Sequence, residues 1–550
     1  MRKYGRELLA AAVVFAATCA VYGPARNYEL VDYDDNDYVF KNAHIHEGLT
    51  RENVRWALTS HSYAANWHPL CWMSLQADAE LELFRRGGRP FSAAEREDHA
   101  SPLARVMHVH NILLHAANAV LLLALMLMLM RKLGGRSPSA GALDVWTAGF
   151  LALLWALHPL RVEVVCWVSE RKELVSVFFM LLTLIAYCGA SRTSRPAGYV
   201  LSLFTFSLAL LAKPVAVTLP AVLFAWDWVI AGRRFRMSLV RSVPFALLSA
   251  ATCVATMKAQ TLVVEGARSY PLSGRLSGFF GGPLIYLGQF LWPVDLSIGY
   301  AAPYRFCLRV WLLFAGGVLL LALMAGVCVW WLRRRDRWTG LGAFVIAWSY
   351  VGLLPMLGIV KVGGEEHSDR YTYWVGCGLA VGCCVALRWL CERRDDLLRA
   401  PDGRKERVFC AAAAVLLLCS WGTRKTMAPW HDTFPLFRKA VVQCWTPPCV
   451  DLLVENILMR GGPHAWEEAR RWLWEAVRHT ECAEAYAAYA EHLLTRINGK
   501  MASATGSDPF EEAEYCLKIA LECEPDNERA KKSMEFIERK RKEWGGNVPK

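Results

Sequence analysis

Charge is scarce in this chain. Asp, Glu, Lys and Arg make up only 20% of its 550 residues, against 55% hydrophobic, too little to cover the surface of a soluble protein of this size. The expectation is an all-α polytopic membrane protein, since helices can satisfy their own backbone inside a bilayer. Closely spaced cysteine pairs are also missing. The 18 cysteines include no Cys-x-x-Cys, and Cys19, Cys188, Cys253, Cys328, Cys383 and Cys384 fall inside apolar runs, where they act as small hydrophobes. No disulfide framework is indicated, although Cys444 and Cys449 flank a Thr-Pro-Pro turn and could pair outside the cytoplasm. No nucleotide-binding loop is visible either.

The net charge of +12 would suit a nucleic-acid partner if it were spread over a surface. It is not. Six short stretches between apolar segments (1–7, 131–143, 191–197, 231–241, 333–337 and 391–407) hold 22 Lys and Arg against 7 Asp and Glu, a surplus of 15, and the remainder is slightly acidic. That is the distribution that orients membrane helices with their basic loops inside. No nucleic-acid partner is expected.

Apolar segments of spanning length are placed at 8–22, 106–130, 144–158, 173–190, 198–212, 213–230, 242–258, 307–332, 339–360, 371–390 and 408–422, eleven in all. The first is read as an uncleaved helix, with a cleaved signal peptide as the alternative. Segment 278–294 is read as interfacial or re-entrant, because Gly281, Gly282, Pro283 and Pro293 favour an irregular path and because all basic stretches then share one side. The N-terminus is expected in the cytoplasm of what would be an inner membrane in a bacterium. The loops at 24–105, 158–172, 259–306 and 361–370 and everything after 423 then lie outside. Two stretches in the first loop, ENVRWALTS and NWHPLCWMSLQADAELELF, have the spacing of amphipathic helices lying at the bilayer surface.

The domain division expected is 1–425 for the membrane part and 426–550 for a charged, Ala-rich helical tail. Ala469, Ala476 and Ala483 recur as Ala513, Ala520 and Ala530, a pattern of about two degenerate tetratricopeptide-like units. Such repeats either bind a partner or form a plain helical cap.

Residues 31–72 hold the densest polar chemistry. Asp32, Asp34, Asp35 and Asp37 follow the first apolar segment, then His44, His46, Asn66, Trp67 and His68. A solvated acidic loop is one reading; a general base beside the membrane is the other. Three further loops bring polar residues to the same side: His158, Arg161, Glu163, Trp167, Glu170, Arg171 and Lys172; the turn at Lys213; and Asp369, Arg370 and Tyr371. Basic residues there run against the topology rule, so Arg171 and Lys213 are expected either to pair with the acidic residues or to bind an anion. The histidines have no recognised metal spacing, so no metal or other cofactor is expected, with a divalent cation left open.

Read together, YDDNDYV, GLT-x-x-NVRWAL, NWHPL, ALHPL-x-x-x-E-x-x-W-x-x-ERK, LAKP-x-x-x-TLP, the Trp-Pro at 292–293 and DRYTY at 369–373 resemble the GT-C class of membrane glycosyltransferases. The nearest branch is the transmembrane and tetratricopeptide-repeat O-mannosyltransferases with their bacterial relatives. The resemblance covers roughly residues 1–425. It implies a polyprenyl-phosphate sugar donor in the bilayer, a protein Ser/Thr or glycan acceptor that the repeats could help recruit, and inverting transfer on the outer face. Asp34 or Asp35 would then be the base, with Asp34 favoured. Arg171, Lys172, Lys213 and Arg370 would hold the donor phosphate, and Asn66, Trp67, His68, His158, Glu163, Trp167, Asp369 and Tyr371 would line the substrate site. A transporter or flippase of lipid-linked glycans and a noncatalytic scaffold presenting repeats are the competing classes. The charges lie in loops and no repeat of the spans is visible, which favours the enzyme.

Overall fold

The computed structural model describes residues 4–60, 63–133, 140–193, 196–259, 272–300, 308–358, 367–393, 402–445, 447–461, 464–480, 482–498 and 509–543. Among these every regular element is helical. The chain divides into two compact units, one of residues 1–296 with 302–431 and one of 297–301 with 432–550.

In the first unit each of the eleven expected spans coincides with a helix. Eight described helices are long and apolar enough to cross a membrane: Gly5–Asn27, Pro102–Lys132, Val168–Ala190, Phe235–Ala259, Trp311–Arg334, Arg337–Met356, Asp369–Leu390 and Arg407–His431. The other three differ in form. Gly141–Ala156 continues into Pro159–Cys166 through a 60° bend, and Pro196–Ala212 and Pro214–Ile230 are shorter apolar helices.

The breaks have a common local cause. A residue that precedes proline is pushed out of helical geometry, and proline itself is favoured at a helix start. His158 (φ −75°, ψ 135°) precedes Pro159, and Lys213 (φ −157°, ψ 137°) precedes Pro214. His68 precedes Pro69, the first residue of the helix Pro69–Arg85, and also stands outside helical geometry. Each X-Pro step therefore frees one polar side chain at a helix start.

Basic side chains near other helix ends are also held. Arg131 pairs with Glu7, Arg388 with Asp144 at 2.6 Å, and Arg335 lies over the ring of Trp228. A core of Ala, Leu, Val and aromatic side chains runs from Val14 and Ala148 through Leu181 and Phe206 to Trp348 and Trp374.

Two expectations need correction. Leu272–Leu291 is a continuous helix with Pro283 inside it, not an irregular segment. Its close partner is Leu308–Arg334: a Cβ added to Gly317 would lie 1.8 Å from the Phe280 carbonyl oxygen, so glycine allows the backbone approach. The helices Arg51–Thr59 and Pro69–Arg85 exist, yet the second does not rest at a bilayer surface on its apolar face. Cys71, Trp72, Leu75 and Ala79 are buried with Tyr38, Ile45, Ala57, Phe91 and Met107 in a second core. The first loop is thus a folded cap.

Among the described residues the second unit contains six helices: Thr433–Cys444, Pro447–Arg460, Ala465–Thr480, Ala483–Asn498, Pro509–Cys523 and Glu528–Glu543. Ala469, Ala476, Ala483, Ala513, Ala520 and Ala530 are all buried. Asn527 of the Pro-Asp-Asn turn accepts the Ala530 N–H at 2.9 Å and so caps the last helix. Arg529 draws three helices together through Asp451, Glu484 and Glu491.

Candidate active site

The four loop aspartates have four different environments. Asp32 meets His99 at 3.4 Å, and Asp37 is exposed beside Lys41. Asp34 and Asp35 sit in a helical turn that continues into Asn36–Phe40. Successive helical side chains diverge by about 100°, and here that sends the two carboxylates to different partners.

Asp35 is fully buried. One oxygen accepts the Val31 N–H at 3.0 Å, the other the Ser169 N–H at 2.9 Å and the Ser169 hydroxyl. It fastens the first loop to residues 168–170. Burial pushes its carboxyl up to about 6, against the opposing pull of those hydrogen bonds. Asp34 turns outward, 37% exposed, with Lys172 Nζ 3.1 Å from its Oδ2.

Lys172 begins a chain of alternating charge. Its ammonium also lies 3.3 Å from Glu170; Lys213 lies 2.9 Å from both Glu170 and Glu173; Arg370 lies 3.5 Å from Glu170 and 2.5 Å from Glu163. These side chains come from the first loop, the Pro159–Cys166 helix, the turn and helix start that follow it, the Lys213-Pro214 break and the Asp-Arg-Tyr segment, separate in sequence and joined by these ion pairs. Three cations face four carboxylates. Glu163, Glu170 and Glu173 are 2%, 1% and 3% exposed, so Asp34 is the carboxylate of this chain that reaches open space.

Aromatic rings floor the cluster. Lys172 lies 4.6 Å from the Tyr38 ring and Arg370 5.4 Å from the Trp167 ring, geometry that holds a cation while leaving its donors available. Tyr33 stacks on Trp167 at 5.3 Å. Tyr38 shares a 3.1 Å hydrogen bond with His68 Nδ1. Burial and the nearby Lys172 hold the His68 imidazole well below its usual range, so it stays neutral.

The Asp-Arg-Tyr segment is clamped from two sides. Glu163 accepts the Arg370 N–H at 2.9 Å and the Ser368 hydroxyl at 2.7 Å. Arg161, buried among Trp155, Phe290 and Tyr373, donates to Thr372 O and Oγ1, each at 2.8 Å. Thr372 Oγ1 in turn donates to Asp369 O at 2.7 Å. The outcome is a fixed position for the Arg370 guanidinium.

The remaining expected residues lie as follows. Arg171 does not join the cluster: it is buried, 2.9 Å from Asp78, and donates to Met107 O and Asn111. His158 caps Leu160 and bonds Phe290 O at 3.1 Å. Asp369 meets Gln289 at 3.4 Å, and Tyr371 lies under Arg370. Asn66 bonds Ala64 O and Trp67 bonds Leu58 O, both within the first loop. Residues 363–366 of the third loop lie outside the described residues. Among the described residues no group of three or more His, Cys, Asp or Glu is arranged to hold a metal ion.

Tyr38, Ser169, Glu173, Ser368 and Thr372 were not singled out from the sequence. Glu173 had a signal, as an acid directly after the Glu-Arg-Lys run. Ser169 had none, because a hydroxyl in a loop becomes informative only once its carboxylate partner is known.

The chain is 31% identical over 144 residues to the human Protein O-mannosyl-transferase TMTC4, covering 25% of this chain and 19% of that protein. It is 25% identical over 241 residues to the mouse Protein O-mannosyl-transferase TMTC1, covering 40% and 22%. Its curated relatives are protein O-mannosyl-transferases. The resemblance to the GT-C membrane O-mannosyltransferases is thus carried by similarity of modest identity, and the chain spans about a fifth of the length of the curated relatives it matches. No protein-family model matches it.

Proposed function

We propose that this protein is a membrane glycosyltransferase that moves a monosaccharide, mannose by analogy with its relatives, from a polyprenyl phosphate to a protein Ser or Thr hydroxyl on the outer face of the membrane. One observation carries the reading: a single partly exposed carboxylate, Asp34, stands beside a row of cations whose own partners are buried. Transfer needs both. The acceptor oxygen attacks the anomeric carbon, the bond from that carbon to the phosphate oxygen breaks, and the configuration inverts. The hydroxyl proton passes to Asp34. The electron pair of the broken bond leaves on the lipid phosphate, where Lys172, Lys213 and Arg370 would meet it.

The physical chemistry supports this division of labour. Lys172 holds the Asp34 carboxylate in place, and the carboxylate accepts the proton late, once the hydroxyl has acidified in the transition state. Glu170 and Glu173 hold the lysines in place, since ammonium groups this buried need anionic partners. We assign Asp35 and Arg171 to the frame, not to chemistry, because each is enclosed by bonds to neighbouring elements. His68, Tyr38 and Trp167 would line the sugar, and no metal is required by these steps.

The test is direct. Purified full-length protein, a polyprenyl-phosphate mannose and a Ser/Thr-rich peptide should yield mannosylated peptide by mass spectrometry. Loss of lipid-linked sugar to the opposite leaflet without peptide product would instead identify a flippase. Fluorescent lipid-linked sugar in proteoliposomes separates the two.

A further inference from the structure

Away from the acidic cluster, the helices Pro69–Arg85 and Pro102–Leu133 enclose a groove of about 350 Å³. Leu81, Glu82 and Arg85 line it from one helix, Pro102, Arg105, Val106, Val109 and His110 from the other. The spacing explains the lining: residues four apart share a helix face, so 81 and 85 align on one side and 105 and 109 on the other.

The lining combines charged and apolar side chains. Arg85 and Arg105 both contribute to it, and Glu82 lies 3.8 Å from Arg85. Arg105 makes no ion pair with any described residue. Two guanidinium groups therefore face one carboxylate, leaving a positive surplus. Further along the second helix the same face carries Val106 and Val109 and then Leu113, which is 40% exposed; Phe84, next to Arg85 in the chain, is 81% exposed. That helix is one of the eight long and apolar enough to span a membrane, so a groove beside its first turns lies within reach of bilayer lipid.

We infer that this groove is a site for an anionic phospholipid of the bilayer, its phosphate held between Arg85 and Arg105 and an acyl chain laid over Val106, Val109 and Leu113. Guanidinium groups suit phosphate oxygens through paired hydrogen bonds, and the apolar run continues in the direction a chain must take from a headgroup. The occupant would touch the frame of the acidic cluster. His110 at the groove is bonded through Nδ1 to Asp78, and Asp78 holds Arg171, the residue before Lys172. The inference concerns binding alone and is independent of the transferase reading.

The test uses full-length protein in detergent, offered phosphatidylglycerol and phosphatidylcholine in equal amounts, with retained lipid counted by native mass spectrometry. Wild type should retain phosphatidylglycerol preferentially. Arg85→Gln with Arg105→Gln, both exposed and tolerable in the fold, should lower that preference at least about fivefold, the contribution expected of one basic residue at an anionic surface. Val109→Trp, which fills the groove without changing charge, should do the same. Basic residues elsewhere in the chain bind lipid equally in all variants and cancel in the comparison. An unchanged preference in both variants would overturn the site, and displacement of the lipid by millimolar inorganic phosphate would overturn the acyl-chain part of it.

Discussion

Asp34 and Asp35 are adjacent, chemically identical and placed in opposite surroundings, so the pair separates chemistry from framework. Asp34→Asn keeps shape and removes basicity; transfer should fall at least about a hundredfold, within the range of general-base effects, while the folded chain stays intact. Asp35→Asn should be milder in rate, a loss of about ten- to a hundredfold, at the low end of general-base effects. Its buried setting adds a stability effect, because an amide cannot accept at both ends where the Val31 and Ser169 N–H groups point. The pH dependence is specific. With its carboxyl at about 6 in the folded chain against an ordinary 3.8, Asp35 binds its proton more tightly folded than unfolded. That stabilisation is full below about pH 4 and is lost as pH rises through about 6, an amount on the order of 3 kcal/mol. The melting-temperature gap between wild type and Asp35→Asn should therefore narrow from pH 4 to pH 7. A gap that widens would refute the buried, proton-binding role.

Between elements, the Pro159–Cys166 helix grips the segment before Thr372–Arg393 through Arg161 and Glu163. Arg161→Met leaves the Thr372 carbonyl unsatisfied, a loss of about 1–3 kcal/mol, and frees Arg370 to move. Melting temperature and donor affinity should both drop, and Arg161→Lys should not restore them, since an ammonium lacks the two parallel donors. Gly317→Ala drives a methyl into the Phe280 carbonyl and should separate two helices at a cost of about 1–3 kcal/mol. These elements were unequally legible in the sequence. Long apolar runs announce helices, and the proline breaks could be read from His-Pro and Lys-Pro. The glycines around 281 read as irregularity because the same residue that loosens a lone segment permits close packing against a neighbour, and only the neighbour decides which. In the same way Arg171 and Lys172, neighbours in one motif, looked alike as phosphate ligands; a turn of about 100° takes one to Asp78 and the other to Asp34.

At the scale of the whole molecule, the expected topology puts the basic stretches on one side of the membrane and the loops of the acidic cluster on the other. Orientation in the membrane follows if the basic side is cytoplasmic. Reporter fusions after residues 140, 237, 335 and 400 should then read cytoplasmic, and those after 265 and 430 external; a cytoplasmic signal at 430 would contradict the arrangement. The central proposal is that Asp34 acts as a base beside cations that receive a lipid phosphate. A single-turnover assay with purified protein, radiolabelled polyprenyl-phosphate mannose and an acceptor peptide addresses both halves at once. Asp34→Asn should bind the donor as wild type does and transfer no sugar above background; turnover near that of wild type in this variant, with donor bound normally, would rule out Asp34 as the base.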